Sequence, residues 1–193
     1  MPEGSSPAPA AAIASWLASP TDPQRLAGLV AAARIAPIPA STIDRLPAAC
    51  FSTLVQADVR FAGLKPQVRR ALLVFGLGAR LGLDASPEER RDLDAMPFSV
   101  HASATEVIVE VSAVHDRRGS FGQPSYHQWA AGVEAAAVVI DCGRLDQINS
   151  VLIAWMLQIV QSARPVPVRV LRAKPQVATQ LRQLRLDHLM QIL

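Results

Sequence analysis

A chain of 193 residues, half of them apolar and 18% charged, can bury a real core and lies outside the composition of a disordered polymer. Its net charge of +3 comes from scattered arginines, and aromatics make up only 5%, so the basic, aromatic-laced stripe of a nucleic-acid binder is missing. Cys50 and Cys142 are isolated, the four histidines (His101, His115, His127, His188) follow no ligand spacing, and the longest apolar run, Val151 to Val160, is about half of a roughly 20-residue membrane span.

Residues 1–20 are expected to be a flexible Pro/Ala-rich tail, because Met1 to Ala12 offer almost nothing that could offset the entropy of ordering. The short apolar stretch Ile13 to Leu17 has no Lys or Arg before it, so export is not expected and a reducing, cytoplasmic setting is. Residues 21–96 read as a helical unit. Thr21-Asp22-Pro23 opens a helix through Leu26, Leu29 and Val30, a second covers about 48–56, and a third starts at Pro66 and carries Val68, Leu72, Phe75, Leu81 and Leu83. Ser86-Pro87-Glu88-Glu89 opens a fourth, with acids where the helix dipole favours them.

The period changes at Pro97. Phe98, Val100 and Ala102 alternate with polar residues, as do Val107, Val109 and Val111 with their neighbours, which predicts two strands joined across 103–105. A loop at 117–123 and a short helix at 125–134 precede the continuous apolar run Ala137 to Asp141, expected of a strand covered on both faces. Helix 149–163, strand 166–170 and a last helix from Pro175 to Ile192 complete an α/β pattern over 97–193, a sheet of about four strands with packed helices. Pro167 places the 166–170 strand at a sheet edge, or itself among the strand's first residues.

Catalytic constellations are hard to find. Gly76-Leu77-Gly78 with Gly82 lies inside a helical pattern and not in a phosphate loop, His115-Asp116 reads as a loop pair, and carboxylates are dispersed. No cofactor and no enzymatic activity are expected.

Ile140-Asp141, Ile148-Asn149-Ser150-Val151-Leu152, Lys174-Pro175-Gln176-Val177 and Arg185-Leu186-Asp187 together resemble the STAS domains of anti-sigma factor antagonists in layout over about residues 98–193. In that family a strand ending in Asp is followed by Ile-Asp-Ser-Ser-Gly-Leu at a helix start. Here Asn149 stands for the acid, Val151 for the second hydroxyl residue and Leu152 for the glycine. The resemblance implies that Ser150 is a phospho-acceptor, set where helix amides and the dipole can hold a phosphate. Asn149 or Ser150 also serves simply as a helix cap. It further implies a regulatory protein–protein interaction module whose docking surface is formed by Asn149, Ser150, Leu152, Trp155 and Met156, unless burial claims Trp155 or Met156. The expected partner is another protein, either an anti-sigma kinase or, if the chain is an accessory subunit of a transporter, an ATPase subunit. A structural scaffold and a homodimer are compatible with the same reading; nucleic acid and a membrane span are not expected.

A shift of 109 residues lays Asp58 to Val68 on Pro167 to Val177, with Val59, Arg60 and the run Lys65-Pro66-Gln67-Val68 identical, and apolar positions stay in register to Leu83 and Ile192. Upstream, with a gap, Ile43-Asp44 falls on Ile148-Asn149, Arg45 on Ser150, and 54–56 on 159–161. The first half is thus expected to be an eroded second STAS-like unit with helix, strand and helix in the same order, unless the match is coincidence.

Overall fold

The computed structural model describes residues 8–54, 59–103, 105–112 and 121–193, and its first element corrects the expected tail. Pro9–Ala18 is helix α1, because alanine favours the helix and Ala12, Ile13 and Trp16 share one face, which is buried. Trp16 is fully buried, and its Nε1 donates to the carbonyl of Pro20 at 3.2 Å. Residues 1–7 of that segment lie outside the described residues. Helix α1 packs on α2 (Pro23–Ala33), which starts as predicted, with the Asp22 carboxylate accepting from the Gln24 amide at 2.9 Å. Strands β1 (Ile38–Pro39) and β2 (Leu46–Pro47) follow, then α3 (Ala48–Leu54), β3 (Phe61–Ala62), α4 (Pro66–Val74) and α5 (Pro87–Asp94). The start of α5 is a full capping box, Ser86 and Glu89 each accepting from the other's backbone amide. The third predicted helix ends nine residues short of Leu83. Gly76 turns the chain left-handed at φ 73°, a conformation that glycine adopts without steric cost.

In the second half, β4 (Phe98–Ala102) pairs antiparallel with β5 (Glu106–Val111), and position 104 of the expected turn lies outside the described residues. Most of the predicted 117–123 loop lies outside them too, as does the His115-Asp116 pair. The predicted 125–134 helix is one turn of α6 (Ser125–Gln128) continued as a 3-10 turn to Gly132 and a short strand β6 (Val133–Glu134). After it come β7 (Ala137–Asp141), α7 (Ser150–Ala163), β8 (Val168–Leu171), α8 (Pro175–Gln183) and β9 (Gln191–Ile192). The main sheet runs β4-β5-β7-β8-β9 and is parallel except for β4, so the chain is an α/β protein with five strands in its sheet where about four were expected. All five residues of β7 are buried, as their unbroken apolar run requires. β8 is internal and not an edge. Pro167 sits just before it, so its missing N–H stays off the ladder while its carbonyl accepts from the Val138 amide at 2.9 Å.

The last predicted helix also stops early. Arg185, at φ 56°, breaks the leucine period, and the chain turns into β9 beside β8. That break has a counterpart in the first half. α4 and α8 lie 109 residues apart end to end, and so do the left-handed residues Gly63 and Arg172, and Gly76 and Arg185. Leu81 donates to Leu77 O at 3.1 Å as Met190 does to Leu186 O at 3.0 Å. The parallel pairs match too: Ile38 opposite Phe61 and Pro39 opposite Ala62 correspond to Ile140 opposite Val170 and Asp141 opposite Leu171. The order strand, helix, strand, helix therefore recurs in the two halves, with the additional strand β2 in the first, and β3 is extended as the expected repeat requires. The upstream alignment changes, however. Strand pairing and the turn bonds of Ile43 to Ala40 and Leu145 to Cys142 place Asp44 on Asp146 and Ala48, not Arg45, on Ser150.

One core spans both units. Helix α4 is buried against the 3-10 turn 129–132, and its Leu73 and Val74 are covered where α8 carries exposed Arg182 and Gln183. A second seam pairs β2 with β6 in parallel. Arg45 crosses it, donating to the carbonyls of Val133 at 3.3 Å, Ala163 at 2.9 Å and Arg164, where it caps the end of α7.

Candidate functional site

The start of α7 is where the predicted site residues gather. β7 delivers Asp141 to its carboxyl end, residues 142–149 form the connecting loop, and Asn149 caps the helix by accepting from the Leu152 amide at 2.9 Å. Asn149 thus takes the capping role, and Ser150 stands exposed in the first turn beside Val151, which is 39% exposed.

The loop is braced by two ion pairs that the sequence reading did not single out. Asp141 is buried, accepts from the Gly143 amide at 2.9 Å and from Arg172 Nε at 3.0 Å, and is paired a second time by Arg172 Nη2. Burial raises its carboxyl, but the Arg172 and Gly143 hydrogen bonds and the charges of Arg172 and Arg144 together hold it below the ordinary carboxylate value. Lys174 pairs with Asp146, whose carbonyl also accepts from the Gln176 side chain. The first unit repeats this pair as Lys65 with Asp44, a correspondence visible in the sequence only once Asp44 is aligned with Asp146.

Leu152, Trp155 and Met156, expected on a docking surface, do not lie on the exposed face of α7. All three are fully buried on the face of α7 that meets the core, Trp155 stacking obliquely on Phe98 and Phe121 at 5.0 Å and donating from Nε1 to Tyr126 O at 3.0 Å. The exposed face of α7 carries Ser150, Val151, Ala154, Gln158 and Gln161. In the first unit the equivalent helix start is already occupied: Ala48 replaces the serine, and the residues before it are strand β2, paired with β6.

Burial pushes both thiols up to about 12, Cys142 with help from the Asp141 charge and Cys50 with help from Glu134, so both stay protonated at neutral pH. Among the described residues, no group of three or more His, Cys, Asp or Glu could hold a metal ion, and no helix is long and apolar enough to cross a membrane. His127 Nδ1 lies 2.9 Å from Ser162 Oγ, and burial lowers its pKa.

The class that the fold defines is thus α/β, a five-stranded mixed sheet with two separate two-stranded parallel sheets, β1-β3 and β2-β6. Comparison with family models, with curated proteins and with solved structures gives no match to this chain.

Proposed function

We propose that the chain is a non-enzymatic regulatory interaction module similar to an anti-sigma factor antagonist, and that its partner docks on the loop 142–149 and the exposed first turns of α7. The observation that carries this reading is the geometry at Ser150: a solvent-exposed hydroxyl in the first turn of a 14-residue helix, immediately after a capping Asn149, on a loop pinned by Asp141–Arg172 and Asp146–Lys174. The strand order, with one antiparallel strand leading a parallel set, suits the resemblance seen in the motifs. A rigid loop beside an exposed helix start presents a preorganised surface, which lowers the entropic cost of binding. A phosphate on Ser150 adds close to two negative charges there and opposes docking of an apolar or acidic partner surface.

Binding is tested by pull-down with the full chain, identification of the captured kinase or ATPase subunit, and titration of that purified partner. Ser150→Asp is expected to weaken binding about tenfold or more, and Ser150→Ala to preserve it. Equal binding by the Asp variant, with no phosphate mapped at Ser150 after incubation with the partner, removes the switch. Loss of docking in neither Val151→Glu nor Gln158→Glu removes the surface as well.

A further inference from the structure

The seam between the two units is not fully closed. A cavity of about 360 Å³ opens along it, lined by Pro66, Gln67 and Arg70 of α4, Gln128 and Ala131 of the α6 segment, and Ser162 of α7. No carboxylate is among these lining residues.

Arg70 is the unusual member. It is only 9% exposed, its Nε donates to the Ser125 carbonyl at 3.2 Å, and its Nη2 is buried with no hydrogen-bond partner. Among the described residues no carboxylate reaches it at ion-pair distance: Glu89 is paired with Arg69, and Asp92 accepts from Ser125 Oγ at 3.2 Å. A buried cationic donor without an acceptor is costly and rare, and Nη2 is closed off from water-sized space, so a small turn of the guanidinium toward the cavity that Arg70 lines is what would bring it to an acceptor.

The internal repeat supplies a control. Thr179, the counterpart of Arg70, is exposed, and Gln176 donates to the Asp146 carbonyl, whereas its counterpart Gln67 lines the cavity. The same Lys-Pro-Gln-Val helix start therefore serves a loop in one unit and faces an opening in the other. α4 also has no side-chain cap, and its first intrahelical bond is Arg69 N to Lys65 O, so the Gln67 and Val68 amides carry the positive end of the helix dipole.

We propose that this cavity binds a small oxyanion, a carboxylate or phosphate group, through the Arg70 guanidinium and the side-chain amides of Gln67 on α4 and Gln128 on α6. The planar guanidinium suits a two-oxygen acceptor, and no acid is among the lining residues, the charges of Asp92 and Glu89 acting on Arg70 from outside them. Because the cavity lies between the two units, an occupied site ties them together and stabilises the whole chain by mass action. This inference stands apart from the docking surface on α7.

The test is calorimetric titration and thermal unfolding of the full chain with sodium phosphate and, separately, sodium acetate, against sodium chloride at matched ionic strength. Saturable binding of at least one anion is expected, with a Kd of about 1 mM or tighter and a melting temperature that rises with its concentration. Which anion binds better tells phosphate from carboxylate. Arg70→Met should weaken binding about tenfold or more, and Arg182→Met, on exposed α8, should leave it unchanged. Ala131→Leu, which fills the cavity while keeping Arg70, should abolish it and decides the matter if Arg70→Met does not fold. Absence of saturable binding, equal binding by Arg70→Met, or binding that survives Ala131→Leu would each overturn the proposal.

Discussion

Gly132 lies hard against the backbone of α4, and replacing it with alanine tests whether the two units form one cooperative structure. A Cβ at that position would meet the backbone of α4, lying 2.6 Å from the Gln67 carbonyl carbon, 2.9 Å from Val68 Cα and closer still to the Gln67 oxygen. Ordinary carbon contacts begin near 3.5 Å, so α4 must retreat by roughly 1 Å, and no rotamer change can relieve the clash because every atom involved is main chain. Overpacking of this kind costs about 1–3 kcal/mol. For a chain of this size, each 1 kcal/mol lowers the melting temperature by roughly 2–4 °C. The assay is urea unfolding monitored by tryptophan fluorescence, since Trp16 lies in the first unit and Trp129 and Trp155 in the second. Gly28→Ala is the reference: nothing lies within 4 Å of its Cβ, and it sits inside α2, so it should stabilise by about 0.5–1 kcal/mol. If Gly132→Ala falls within about 0.5 kcal/mol of the parent, the close packing of α4 on the 3-10 turn is refuted.

Trp16→Ala should destabilise by about 3–5 kcal/mol in the same assay, because a fully buried indole is removed and its hydrogen bond to the Pro20 carbonyl lost; a change below about 1 kcal/mol would restore the reading of residues 1–20 as a tail. Glu89 has its carboxyl pulled down to about 2, first by the hydrogen bond from Arg69 and then by the Ser86 amide. A depressed folded value means that the pairing stabilises fully above the ordinary value of 4.5 and is lost as pH falls through about 2. Unfolding midpoints measured across that window should fall less steeply for Arg69→Gln than for the parent, and identical slopes would contradict the assigned pair.

Much of this architecture can be read from residue order alone, where a local signal and the tertiary context agree. The alternation at Val107, Val109 and Val111, the apolar run of β7, and the Ser86-Pro87-Glu88-Glu89 helix start all encode their elements within a few residues. The shift of 109 residues was visible for the same reason: Lys65 to Val68 and Lys174 to Val177 start helices that end at the same step. Its extension upstream was not, since the spacing changes before β3 and only strand pairing shows that Ala48 stands where Ser150 does.

Other features exist only through contacts distant in sequence. The Ala-rich segment around Trp16 becomes ordered because α1 packs beside α2 and β1 and buries Ala12, Ile13 and Trp16, which composition does not reveal. Leucine spacing after Pro175 suits a longer helix, yet Arg185 turns left-handed and the chain gains a place beside β8, exchanging local bonds for a sheet edge. The apolar period of α7 marks a buried stripe without saying which residues it takes, and the sheet and Tyr126 decide that Leu152, Trp155 and Met156 go inside while Ser150 stays out. Arg70 reads as one more scattered cation until α4 packs against α6 and the 129–132 turn, a placement that leaves it buried. Sequence therefore determined the elements whose stabilising contacts are local, and the tertiary structure decided where each helix ends, which face it buries and which polar groups are left needing a partner.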